Sequence, residues 1–182
     1  ELEPLPPNHP ASGMALATPF AVQISDDDST LVASAASSDK VFTVDAQTGE
    51  ILGRVDVGAV PRGIALASDH HGKPKTAWVL NAVDNTVSLL NLEEVSQPVL
   101  MKTVELDDPT DPIVKRGRRM FNTASASTTR TFSCASCHPD GHTDQLLWVL
   151  NTPIVTGGKQ IMPRSTMPIR GLRDTEPYHW DG

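Results

Sequence analysis

Asp39-Lys40-Val41-Phe42-Thr43-Val44-Asp45 and Asp84-Asn85-Thr86-Val87-Ser88-Leu89-Leu90 are two copies of one pattern, an acidic turn residue followed by a run suited to a strand. Each copy has a matching opening upstream, Pro19-Phe20-Ala21-Val22 for the first and Pro61-Arg62-Gly63-Ile64 for the second. Around them, short apolar runs separated by turn residues predict strands at 20–24, 31–35, 41–45 and 51–57, and again at 64–66, 77–80, 87–91 and 99–106. Asp45-Ala46-Gln47-Thr48-Gly49 supplies the Asp, Thr and Gly of a tight hairpin between two of these runs.

The repeat length is about 42 to 46 residues, which suits a four-stranded propeller blade. With Trp78-Val79-Leu80-Asn81 in the place of the naming tetrapeptide, the repeats resemble the YVTN-type β-propeller repeats. Two blades leave outer faces and strand edges uncovered, so further propeller chains, or other chains of a larger assembly, are expected as partners. Residues 1–18 hold four of the five prolines at positions 4, 6, 7, 10 and 19, and read as an extended linker or wrapping arm. His70 and His71 fall in a polar connection that reads as a solvated loop, with a paired-His metal site as the alternative.

After residue 107 the period changes. Ile113, Gly117, Met120 and Phe121 recur at helical spacing, with Asp111 placed to cap the start and Pro112 suited to the first turn. Lys115, Arg116, Arg118 and Arg119 read as a solvated face or, alternatively, a basic strip that guides an acidic partner. Domains are therefore expected at 1–18 (arm), 19–107 (two blades) and 108–182 (a C-terminal domain that opens on this helix).

The chemistry is concentrated in Cys134-Ala135-Ser136-Cys137-His138, a Cys-x-x-Cys-His run that reads as the covalent attachment site of one haem c. Two thiols three positions apart can add to the two vinyl groups of a haem, and the adjacent imidazole serves as proximal iron ligand. A structural zinc needs four N or S ligands, and the chain contains only these 2 cysteines. A thioredoxin-like pair or a disulfide accounts for the thiols but not for the His. Covalent haem attachment implies assembly outside the cytoplasm, hence a periplasmic or extracellular location. The formal charge of −7 argues against nucleic acid as a partner, and no apolar run is long enough to span a bilayer.

Gly117-Arg118-Arg119-Met120-Phe121 resembles the Gly-x-x-x-Phe helix before the haem motif of class I cytochromes c, where the glycine allows close helix packing. Residues 133–144 with Met167-Pro168-Ile169-Arg170-Gly171-Leu172 and Pro177-Tyr178-His179-Trp180-Asp181-Gly182 resemble the di-haem cytochrome c peroxidase superfamily, closest to members in which a cytochrome domain follows a YVTN propeller. The chain departs from that family in having one haem motif instead of two, and in placing Trp180 where the family has His. The resemblance implies a mixed fold, β-propeller blades followed by a mainly α-helical cytochrome c domain.

For the sixth iron position Met167 is preferred, then Met162, then His179, and the resemblance also allows a ligand beyond residue 182. Arg170 is the candidate partner for a haem propionate, as in the matching family motif, with a surface Arg as the alternative. Trp148, Tyr178 and Trp180 are candidates to wall the haem, with core packing equally able to explain them. The expected function is electron transfer with a redox protein partner, the blades serving as docking platform. The alternative is a peroxidase or oxygenase of the di-haem kind.

Overall fold

The computed structural model describes residues 10–11, 13–153 and 159–177. Eight strands form two four-stranded antiparallel sheets in simple order. The first contains β1 (Pro19–Ile24), β2 (Thr30–Ala35), β3 (Lys40–Asp45) and β4 (Ile51–Asp56); the second contains β5 (Pro61–Ser68), β6 (Pro74–Asn81), β7 (Thr86–Asn91) and β8 (Val99–Glu105). These are blades of the propeller type, and every strand read from the sequence is present.

The blades stack through the period-2 alternation of their strands. Val32 and Val41 of the first blade meet Ala77, Val79, Leu90 and Leu92 of the second in one fully buried cluster, flanked by Val55, Val57, Ile64 and Leu66. Burial of each Val or Leu here is worth about 1.5–3 kcal/mol. On the opposite face of the first blade, Leu16 of the arm packs over Ala33, Ala35 and Phe42, so the described part of the arm wraps the blade. The opposite face of the second blade has Trp78 and Leu80 exposed.

The structure keeps the correspondence of Pro19 with Pro61 and shifts that of the third strands by one residue. The equivalent positions are those with positive φ, Thr18 and Val60 before the opening prolines, and Asp39 and Asn85 before the third strands. Ala36 N–H donates to Thr18 O as Ala82 N–H does to Val60 O, both at 2.9 Å. Ala17 N–H donates to Ser38 Oγ at 2.9 Å, and its counterpart Ala59 N–H donates to Asp84 Oδ2 at 2.7 Å. Asp84 thus corresponds to Ser38, and Asn85 to Asp39. The two blades are joined at the same place: Val60 N–H, which opens the second, donates to Asp39 Oδ1 at 3.0 Å.

Helix α1 (Pro112–Asn122) forms as its signals predict, with Asp111 Oδ1 accepting from Ile113 N–H at 2.8 Å and proline in the first turn. It is tied to the second blade by its basic side. Lys115 Nζ reaches Asp108 Oδ2 and Asp84 O, each at 2.8 Å, and Arg119 reaches Asp84 Oδ1 at 3.4 Å. The solvated or docking strip therefore reduces to Arg116 and Arg118, which are exposed. Ile113 and Met120 on the apolar side are exposed too, and a Cβ at Gly117 would meet nothing within 4 Å. The close packing implied for Gly117 by the cytochrome resemblance is thus not present among the described residues.

The chain divides into two compact units, Glu1–Ser133 and Cys134–Gly182, so α1 belongs with the blades although the sequence placed it with 108–182. The reason is the Asp84 and Asp108 contacts, which short-range periodicity does not reveal. The second unit contains helix α2 (Cys134–Cys137), a 3-10 turn (Pro139–Gly141) and an antiparallel pair, β9 (Leu147–Pro153) with β10 (Lys159–Ser165). A mainly helical domain is not seen among the described residues. No helix among them is long and apolar enough to cross a membrane.

Two substitutions test this packing. A Cβ at Gly58 would lie 2.6 Å from Asn81 Nδ2, and buried Asn81 is pinned by donating to Thr86 and Ser88 hydroxyls at 2.9 Å. Gly58→Ala should cost about 1–3 kcal/mol in urea unfolding. Burial raises the Asp39 carboxyl above its ordinary value, against the Val60 N–H bond and Arg119. Folding then favours the protonated acid, so stability falls as pH rises from the unfolded value of 3.8 through the folded one. Asp39→Asn, which keeps an acceptor for Val60, should remove this slope and raise Tm modestly at pH 7.

Candidate functional site

The second unit is built on the turn that carries the two thiols. Cys134 and Cys137 stand at the ends of α2, both unbonded, Cys134 exposed and Cys137 half-buried. His138 N–H closes the turn onto Cys134 O at 3.0 Å. Both sulfurs and the imidazole therefore issue from one turn of backbone, as a single planar ligand attached at two points requires.

Pro139-Asp140-Gly141 then reverses the chain. Asp140 has φ 52° and Gly141 φ 77°, and His142 N–H donates to Pro139 O at 2.9 Å. The reversal brings His142 O to 3.4 Å from His138 Nδ1. As a hydrogen bond this contact requires the proton on Nδ1, which leaves the Nε2 lone pair free for a metal. The loop closes when Asp144 N–H donates to Cys137 O at 3.0 Å.

The segment after β10 runs back along this loop. Thr166 N–H donates to Leu146 O at 3.3 Å, Thr143 Oγ1 to Thr166 O at 2.7 Å, and Ile169 N–H to Gly141 O at 2.9 Å. Arg170 Nε donates to Asp140 O at 2.8 Å. Arg170 is thus brought to the turn that follows the Cys-x-x-Cys-His run, with its terminal guanidinium nitrogens beyond that bond. Met167 lies on the same segment and is 44% exposed.

Trp148 is anchored through its ring nitrogen. Its Nε1–H is shared between Asp144 Oδ2 at 3.0 Å and Thr166 Oγ1 at 3.1 Å, so the indole is fixed by protein partners. Partial burial pushes the Asp144 carboxyl up, but donation from Leu146 N–H, Thr166 and Trp148, with His138 nearby, leaves it below its ordinary value. The sequence reading placed Thr143 and Asp144 in the stretch after the motif without a role, and Thr166 escaped it; the signal for the first two was the Pro-Asp-Gly reversal, which folds residues 142–146 back onto the motif.

Met162 lies on β10, paired with Leu150. Tyr178, His179 and Trp180 lie outside the described residues. His70 and His71 stack with centroids 3.8 Å apart in a loop held by Asp69, which accepts from His71 and Lys73 N–H. No group of three or more His, Cys, Asp or Glu placed to hold a metal ion occurs among the described residues.

No protein-family model and no curated protein sequence match the chain. Solved structures do resemble it. Hydrazine synthase of Kuenenia stuttgartiensis is 28% identical over 58% of this chain and 27% of that one, with a TM-score of 0.43. The β-propeller domain of Cps50 (Swd1) from Myceliophteria thermophila is 17% identical over 54% and 30%, at 0.41. The periplasmic gluconolactonase PpgL of Pseudomonas aeruginosa is 21% identical over 51% and 27%, at 0.39. The chain spans less than a third of the length of each, and the blade assignment above rests on sheet order and repeat geometry.

Gly141 offers a direct check on the loop. An added Cβ would meet Arg170 Cγ at 3.2 Å on a backbone at φ +77°. Gly141→Ala should cost about 1–2 kcal/mol and speed amide exchange at Ile169, whose N–H bonds to Gly141 O.

Proposed function

We propose that this chain is an extracytoplasmic c-type cytochrome that binds one haem c covalently and passes electrons to or from a redox protein partner, with the blades as docking platform. The observation that carries the reading is the pairing of two unbonded thiols on one turn with an imidazole whose Nδ1 faces a backbone carbonyl. The donor set fits the group. Burial, with Asp144 and Cys134 close by, pushes the Cys137 thiol above its ordinary value, unlike the activated thiolate of a redox-active Cys pair.

In this reading Cys134 and Cys137 form the thioethers, His138 Nε2 ligates iron, and Met167 supplies the sixth ligand, with Met162 and His179 next in order. Arg170, already anchored through Nε, offers its remaining N–H groups to a propionate. Trp148, Tyr178 and Trp180 wall the haem, and for Trp148 that role is packing, since its N–H is engaged within the protein. When bound, the haem supplies a one-electron ferric/ferrous couple. The haem is carried by the second unit, Cys134–Gly182, and further propeller or cytochrome chains cover the outer face of the second blade.

The experiment is a redox titration of the full chain purified from a periplasm that matures c-type haem. One reversible one-electron couple per chain, with the weak far-red ferric band of a sulfur ligand, is the expected result, and Met167→Ala should abolish that band. Rapid binding of cyanide or peroxide to the resting protein would favour a peroxidase-like enzyme. Absence of any redox couple would overturn both.

A further inference from the structure

The loop that leaves the Cys-x-x-Cys-His turn is organised by a side chain to which the proposed function gives no part. Asp144 makes hydrogen bonds through its backbone N–H and both carboxylate oxygens. Its N–H holds Cys137 O at 3.0 Å, and its Oδ1 accepts from Leu146 N–H at 2.9 Å. Its Oδ2 accepts from Trp148 Nε1 at 3.0 Å, and the same indole N–H reaches Thr166 Oγ1 at 3.1 Å. One residue thereby connects the attachment cysteine, the first residues of β9 and the segment that carries Met167 and Arg170.

We infer that Asp144 is a positioning residue of the haem site: it clamps the turn bearing both attachment sulfurs to the β9–β10 hairpin and keeps a fixed negative charge on the loop closed against Cys137. This inference rests on the haem reading. The clamp follows from the bonds just given. The charge follows from the same bonds, because N–H donors to both oxygens favour the ionised carboxyl, and a bond from indole N–H to an anion is stronger than one to a neutral acceptor. His138 is among the groups close enough to feel that charge. An anion near a proximal imidazole favours the more positive, ferric state of the iron, so Asp144 lowers the reduction potential.

An alanine at this position removes clamp and charge together, whereas asparagine removes the charge and keeps one acceptor oxygen, so that one of the two N–H groups, Leu146 or the Trp148 indole, stays bonded to residue 144. The test uses the full chain with Asp144→Asn, Asp144→Ala and Trp148→Phe, the last assigning the Trp148 indole proton among the 3 tryptophans by NMR. Asp144→Asn should retain covalent haem and a hydrogen-bonded indole resonance while its midpoint potential rises. Asp144→Ala should leave the indole N–H to Thr166 Oγ1 alone, shift that resonance away from the position of a carboxylate-bonded indole, and lose haem loading. An unchanged potential in Asp144→Asn, or an unchanged resonance and loading in Asp144→Ala, overturns the inference. If the unsubstituted chain takes up no covalent haem, the haem reading and the charge effect fall together, and the indole resonance still decides the clamp.

Discussion

Each blade opens on a β-branched residue forced into the left-handed region directly before a proline, Thr18 at φ 54° and Val60 at φ 60°. Such a backbone is costly, and it persists only where surrounding bonds over-determine it. Here the bonds come from the loop between second and third strands, which accepts the N–H of the residue two before each proline and returns two N–H groups of its own to the carbonyls ahead of that proline. Asp39 takes the N–H of Val60 from the neighbouring blade, so one carboxylate sets the position of blade two on blade one. The buried cluster of Val32, Val41, Val79 and Leu90 follows from that register, since a slip by one residue would turn each of these side chains to the other face.

Much of this was legible from residue types. Strand positions follow from short apolar runs and turn residues, and α1 from Asp111 and Pro112 at its start. The repeat register was not. Asp39 and Asp84 share a residue type, but backbone conformation pairs Asp39 with Asn85 and Asp84 with Ser38. Side-chain identity is a poor guide here because Ser Oγ and Asp Oδ2 accept the same backbone N–H equally well. Asn85 differs from Asp39 for a physical reason: its amide donates to Asp107 O, where the chain leaves the blade pattern, instead of accepting from the start of another blade.

Helix α1 shows the opposite failure. Its amphipathic pattern suggests that the apolar stripe seeks a core, yet the helix is held through Lys115 and Arg119 to Asp84 and Asp108, and Ile113 and Met120 stay exposed. Within the second unit, the Cys-x-x-Cys-His run was plain because its spacing has few other uses. What lies around it was hidden, because the bonds from Asp144 to Trp148 and from Arg170 to Asp140 depend on a reversal at Pro139-Asp140-Gly141 that brings distant residues together. For Trp148 the residue type left haem wall and core packing open, and the carboxylate that holds its N–H comes from this same reversal.

The central claim is that both thiols of one turn are consumed by one haem. The direct measurement is acidic acetone extraction of the native protein followed by thiol alkylation and mass mapping of the peptide that contains Cys134 and Cys137. The account predicts that the haem stays with the polypeptide and that this single peptide carries it, with neither cysteine alkylated. Extraction of all colour with both cysteines recovered as alkylated thiols would contradict it.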